Sequence, residues 1–201
     1  MGRKTVLSFF QGIVPAEDEM KKCALILVCL VSILSMILVS CATSAKSEET
    51  AREKTETPKN ISSVYIASPF FNDEEYDNVV YVENVLNQLG ITFFSPMRQT
   101  VDAEAGSLDW AYKIFEMDRT EIVKADAVVA IYYGSEGDTG TAWECGYATA
   151  IGKPVVLVHV DRENGSNLML NCGSTTNIYI EELINFDFST FPVYEYDGIM
   201  F

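Results

Sequence analysis

The segment GSEGDTGTAWECGYATAIGKP, residues 134–154, carries the side chains best placed to do chemistry. It reads as a glycine-rich loop after a strand, followed by a helix, which sets Asp138 at the strand's end and Glu144 in the helix's first turn. Both carboxylates then face the carboxyl edge of the strand, and the positive end of a helix dipole favours an ionised Glu144, the form a nucleophile needs. The same residues admit a structural account. Thr141 and Glu144 fit the S/T-x-x-E capping box, and Asp138 beside Gly137 suits a turn. Asp118, in the helical stretch LDWAYKIFEMDRTEIVKA, is either a third site carboxylate or a solvated helix position. Cys145 suits helix packing better than nucleophilic work, because the single histidine, His159, falls on a predicted strand; a Cys–His pair stays geometrically possible. The five cysteines form no CxxC pair and have no histidine at zinc-ligand spacing, so no metal site is expected.

These residues need a scaffold, and the pattern from Ser62 onward supplies one. Short β-rich runs (SVYIAS, ITFFS, DAVVAIYY, PVVLVHV) alternate with helical ones, two of which stop near Gly90 and Gly152. Continuous apolar strands such as 127–133 and 155–160 belong in parallel sheets covered on both faces. The fold class expected is therefore α/β: a doubly wound, flavodoxin-like, mostly parallel sheet in three α/β/α layers. Ligands of such sheets bind at the carboxyl ends of strands near the switch in strand order, which points to the loops 68–73, 96–107 and 134–140. No GxGxxG follows the first strand and no GxxxxGK[ST] occurs, so dinucleotide and P-loop chemistry have no support.

The 201 residues have room for one ordinary domain. Formal charge is −15; with 4 of 14 basic and 3 of 29 acidic residues in the first 40, residues 41–201 carry −16. Such a surface repels phosphate backbones and anionic headgroups, which argues against nucleic acid as a partner and against an electrostatic membrane patch.

From Met20 the sequence MKKCALILVCLVSILSMILVSC has a basic start, an apolar run to Val39 and then Ser40 and Cys41. It resembles a bacterial lipoprotein signal, which implies cleavage before Cys41, a lipid on its sulfur, and an exported protein held on the cell membrane. An uncleaved signal anchor is the alternative reading. Residues 1–19 contain Glu17, Asp18 and Glu19, foreign to a signal's basic region, so Met20 is the expected start. Residues 42–60, rich in Ser, Thr, Glu and Lys, read as a flexible tether. The expected organisation is thus an upstream extension (1–19), a signal (20–40), the lipidated cysteine with its tether (41–60), and a folded domain (61–201).

The ordered motifs VYIASPFFNDEE, the helix bearing Asp118, EGDTGTAWECGYATAIGKPVVLV, NLML, INFDF and the terminal VYEYDGIMF resemble nucleoside 2-deoxyribosyltransferases over about residues 62–201. The resemblance implies transfer of a 2-deoxyribosyl group between nucleobases by double displacement, without metal or cofactor. Glu144 would be the nucleophile that forms a glycosyl-enzyme, following retaining-glycosidase logic, with Asp118 protonating the leaving base. Tyr65 would orient the nucleophile, Asp138 hold the sugar hydroxyls, and Phe71 stack on the base. Gln99 sits where the family reads the base edge. Asn167 matches a residue that reaches into a neighbouring subunit's site, which implies a homo-oligomer. Phe201 matches a chain end folded back toward the site. Nucleosides and free nucleobases are the implied partners, although export sits oddly with the family's intracellular salvage role. Two rival readings remain open: a nucleoside hydrolase of the same fold, and a non-catalytic nucleoside-binding lipoprotein.

Overall fold

The structure, a computed structural model, describes residues 60–201. The segments read as signal and lipidated Cys41 lie outside the described residues, as does all of the tether but Asn60. Five parallel strands, β1 (Ser63–Ala67), β2 (Thr92–Phe94), β3 (Ala127–Tyr132), β4 (Val155–His159) and β5 (Thr176–Tyr179), form one sheet in the order β2-β1-β3-β4-β5. Among the described residues four α-helices accompany them: α1 (Asp73–Leu89), α2 (Leu108–Lys124), α3 (Thr139–Ala150) and α4 (Leu168–Gly173).

Strand alternation divides the core into two halves. Val64, Ile66, Val129, Ile131, Val156 and Val158 pack against Val79, Val82, Val85 and Leu86 of α1 and against Leu183, Phe186 and Phe191. Tyr65, Ala67, Val128, Ala130 and Leu157 pack against Ile122 of α2, Cys145 and Ala148 of α3, and Leu170 of α4. The result is the three-layer α/β/α arrangement that the sequence pattern implies. All six residues of β3 are buried, and each large aliphatic so placed contributes about 1.5–3 kcal/mol of transfer free energy.

Local chemistry sets the boundaries. Asn72 caps α1 by accepting from Glu75 N at 3.0 Å, and the first turn's Asp73, Glu74 and Glu75 complement the helix dipole. The predicted stops hold, since Gly90 and Gly152 both adopt the left-handed conformation (φ +72 and +76). At the amino end of β1, Asp126 Oδ2 accepts from the backbone and hydroxyl of both Ser62 and Ser63, at 2.9–3.0 Å. Partial burial pushes the Asp126 pKa up, but these bonds outweigh it and hold the carboxyl below its ordinary range.

The order places β1 between β2 and β3, so the chain's direction of winding reverses there. The crevice at the carboxyl ends of β1 and β3 is the position at which such sheets bind ligands.

Candidate active site

Tyr65 sits in the middle of β1 with no exposed surface, its ring stacked on Phe94 at 5.9 Å. From this anchored position its hydroxyl donates a 2.5 Å hydrogen bond to Glu144 Oε1 on α3. Asp118 lies beside the same hydroxyl from α2, near enough that its charge acts on Tyr65. A strand and two helices on one face of the sheet therefore converge on two carboxyls and a phenol. Burial, followed by the Glu144 and Asp118 charges, drives the Tyr65 pKa far upward, so the hydroxyl stays a donor.

Burial also governs the carboxyls. It raises Asp118 to about 6, with the neighbouring Tyr65 hydroxyl opposing the rise. It raises Glu144 to about 8, with the Asp118 and Asp138 charges adding to the rise and the Tyr65 bond resisting it. Near neutrality the pair thus holds about one proton. Asp118 Oδ1 is buried without a hydrogen-bond partner, a polar atom left with unused capacity beside the nucleophile candidate.

Two sequence expectations need correction here. The cap of α3 is Asp138, whose Oδ2 accepts from Thr141 N at 2.7 Å and Thr141 Oγ1 at 3.2 Å. Glu144 is consequently six residues into the helix, in its second turn, and belongs to no capping box. The helix dipole does not set its ionisation either, because the field falls off within the first turn and burial dominates. Both departures have one cause: the helix begins two residues earlier than Thr141, at Thr139. Gly137 makes that start possible, since a Cβ there would collide with the Tyr132 ring.

The remaining candidates surround this centre on separate loops. Phe71 is 79% exposed, with its ring stacked on Phe70 and its N–H held by Glu75 Oε2 at 2.6 Å. An exposed ring on a fixed backbone suits a stacking platform. Gln99 closes a single 3-10 turn, Pro96–Arg98, and its amide reaches only its own loop, at Ser95 O 3.4 Å away. Asn167 caps α4, accepting from Met169 N at 2.8 Å, which leaves its NH2 group as the donor. Among the described residues, none of these three hydrogen-bonds to Tyr65, Asp118 or Glu144.

Cys145 faces the core, where burial and then the Glu144 charge push its thiol up to about 12, too high for a nucleophilic thiolate. His159 pairs its Nε2 with Asn177 Oδ1 at 3.2 Å and stacks under Tyr196. Each member of the conceivable Cys–His pair is thus committed elsewhere.

Sequence reasoning passed over two supports. Arg98 grips the buried Glu83 of α1 through Nη2 at 2.6 Å and Nε at 3.0 Å, pinning the loop that carries Gln99. Phe115 of α2 packs tilted against Trp143 of α3 at 5.3 Å, and Trp143 stacks on Tyr147 at 5.2 Å, joining the two helices that carry Asp118 and Glu144. The positions of these aromatics at helical spacing were visible, but not their partners across two helices.

The sequence model of the nucleoside 2-deoxyribosyltransferase family matches residues 64–178, more than half of the chain. A nucleoside deoxyribosyltransferase of Lactobacillus johnsonii is 33% identical over 96 residues, 46% of this chain and 64% of that protein, so the match spans a little under two thirds of the relative. One of Limosilactobacillus fermentum is 28% identical over 138 residues, 61% of this chain and 82% of its own length. Among solved structures, a 2-deoxyribosyltransferase of Bacillus psychrosaccharolyticus superposes with a TM-score of 0.60 at 38% identity, over 67% of this chain and 98% of that one.

Proposed function

We propose, on the premise that this chain belongs to the nucleoside 2-deoxyribosyltransferase family, that it transfers a 2-deoxyribosyl group between nucleobases through a covalent intermediate on Glu144. The observation that carries this reading is the Tyr65–Glu144 hydrogen bond with Asp118 alongside. In the first step a Glu144 carboxylate oxygen bonds to the anomeric carbon as the carbon–nitrogen bond to the base breaks. The Asp118 proton passes to the departing base, whose electron pair would otherwise have no acid to meet it. In the second step a nitrogen of the incoming base attacks the same carbon, Glu144 leaves, and Asp118 recovers a proton.

Proton placement favours this division of roles only once a base is bound. In the protein alone Asp118 ionises near 6 and Glu144 near 8, so the shared proton prefers Glu144. A base nitrogen accepting from Asp118 stabilises that carboxyl's protonated form, and the Tyr65 bond then favours the charge on Glu144. Asp138 offers its carboxylate to the sugar hydroxyls, Phe71 its ring to the base and Gln99 its amide to the base edge, while Asn167 completes a neighbouring subunit's site in a homo-oligomer. No metal or cofactor enters these steps.

Incubating the protein with deoxyinosine and adenine tests the reading, with deoxyadenosine as the expected product. Release of deoxyribose at a rate indifferent to added adenine would replace it with hydrolysis, and saturable binding without turnover with a nucleoside-binding role. A 2-fluoro-2-deoxy-arabinosyl nucleoside should add to the peptide containing Trp143, Glu144 and Cys145, on the glutamate.

The lipoprotein-like sequence of residues 20–41 supports a lipid on Cys41 and a place on the outer side of the cell membrane. A fatty-acid analogue should label the wild type in a bacterial host and fail to label Cys41→Ser.

A further inference from the structure

Helix α1 touches each of the three loops at the carboxyl edge of the sheet. At its amino end Glu75 Oε2 accepts from the Phe71 N–H at 2.6 Å. One turn on, Asn78 Nδ2 donates to the hydroxyl of Tyr133, the residue before the 134–140 loop, at 3.1 Å. Tyr76 and Glu83, two turns apart and so on one face of the helix, both engage Arg98 in the loop that carries Gln99.

Arg98 is held by more than a surface ion pair. Its Nε and Nη2 fork onto the Glu83 carboxylate at 3.0 and 2.6 Å, and its Nη1 donates to the Tyr76 hydroxyl at 3.3 Å. The guanidinium also lies over the Tyr76 ring, 5.7 Å from its centroid. The Glu83 side chain is 9% exposed, so its carboxylate depends on this partner, and a planar fork fixes direction as well as distance.

Gln99 follows directly. Its N–H donates to Pro96 O at 2.9 Å, and its side-chain amide donates at 3.4 Å to Ser95 O, so both bonds stay within the loop. From Gln99 to Gly106 the chain is neither helix nor strand. The Arg98 fork is therefore the tie to the helical layer beside Gln99; the next, Lys113 Nζ to Asp102 O at 2.8 Å, lies further along. Phe71 and Gln99, the ring and the amide read as meeting one base, are thus indexed to the same helix. An amide presents a donor and an acceptor, and it discriminates between base edges only where both are held in place.

We propose that the Arg98–Glu83 clasp is a specificity determinant: it fixes the Gln99 amide relative to the Phe71 ring and so sets how sharply the protein distinguishes one nucleobase from another. This rests on the reading of Gln99 and Phe71 as base contacts. Arg98 is a positioning residue that acts through Gln99, so its loss narrows selectivity only where Gln99 is present.

The test compares the full chain as wild type, Arg98→Lys, the matched pair Arg98→Met with Glu83→Gln, Gln99→Ala, and Gln99→Ala combined with each clasp variant. Lysine keeps the charge beside Glu83 but not the fork, and the matched pair strands no carboxylate. Deoxyadenosine, deoxyinosine, deoxycytidine and thymidine serve as donors to a common acceptor base. The ratio of highest to lowest kcat/KM should contract about fivefold or more in both clasp variants. In the Gln99→Ala background the same changes should alter it less than about twofold. A merely structural role would lower kcat/KM for all four donors by a common factor, and that result would overturn the proposal. So would an unmoved ratio, equal contraction in both backgrounds, or a wild type indifferent to the base. Should either clasp variant fail to fold, the other decides. Should wild type exchange no bases, the transferase reading fails separately, and the same ratios taken from calorimetric Kd values for the four nucleosides test the clasp; absence of all binding overturns it.

Discussion

Tyr65 and Glu144, 79 residues apart in sequence, are joined by a 2.5 Å hydrogen bond that runs from a fully buried strand side chain to a carboxylate on a helix. The strand gives the phenol one position, and the phenol gives Glu144 one rotamer. The bond also opposes burial in setting the Glu144 pKa. Removing the donor thus has an electrostatic consequence as well as a steric one.

Tyr65→Phe should lower kcat/KM about 10–100-fold, the equivalent of a hydrogen bond to a charged group at roughly 1.5–3 kcal/mol. Because the lost bond had held the Glu144 pKa down, the acidic limb of the pH–rate profile should move to higher pH. An unshifted limb would dissociate Tyr65 from the ionisation of Glu144.

Glu144→Gln should abolish exchange by several orders of magnitude while stabilising the fold in alkali. The folded-state pKa of Glu144 is raised from 4.5 to about 8, so the carboxyl contributes its stability below the unfolded value and loses it as pH climbs through 8. The variant has no such loss. Urea denaturation should find the two proteins similar at pH 4 and the variant ahead by up to about 5 kcal/mol at pH 9. A constant difference across that range would contradict the burial argument.

Asp118→Asn should reduce turnover about 10²–10⁴-fold, the usual worth of a positioned general acid. The loss should be greatest for nucleosides whose base departs poorly without protonation. Comparing a natural nucleoside with one bearing an activated leaving group measures this, and equal losses for both would remove Asp118 from the acid's role.

Arg98→Ala should cost roughly 2 kcal/mol, because it strands the buried Glu83 carboxylate, with the figure moderated by the exposure of the arginine. Adding Glu83→Gln should restore part of the melting temperature. If Glu83→Gln is as damaging in the Arg98→Ala background as in the wild type, the pair is not coupled.

Phe71→Ala should leave stability within about 0.5 kcal/mol, since the ring is exposed. KM for the nucleoside should rise several-fold with kcat little changed. A lowered kcat at constant KM would take Phe71 out of base stacking.

The parallel α/β fold was legible because its signals are local and repeated: continuous apolar strands, helical spacing, and glycine stops that behave as expected at Gly90 and Gly152. Strand β5 was not read, since TNIY is four residues long with two polar side chains, and its burial comes from β4 beside it and from core residues later in the chain such as Leu183 and Phe186. Glu144, Asp138, Asp118 and Tyr65 were named from motifs, and three of them do converge. Sequence spacing misplaced the start of α3, because Asp138 and Thr141 are both good caps and only the fit of Gly137 against Tyr132 separates them. The Arg98–Glu83 grip and the Ser166–Ile199 pairing join distant segments, and neither leaves a local signature.

The clasp of Asp126 on Ser62 and Ser63 also has a mechanical side. β1 is five residues long, about 16 Å of extended chain, and Tyr65 lies at its middle. Tension arriving along the chain ahead of Asn60 is borne by buried Ile61, by the four hydrogen bonds on one carboxylate oxygen and by the Thr92 bonds to Ser62 O, ahead of the part of β1 that locates Tyr65. A handle attached at this end, whether a bead or a solid support, therefore pulls on the rim opposite the substrate crevice and leaves the crevice clear.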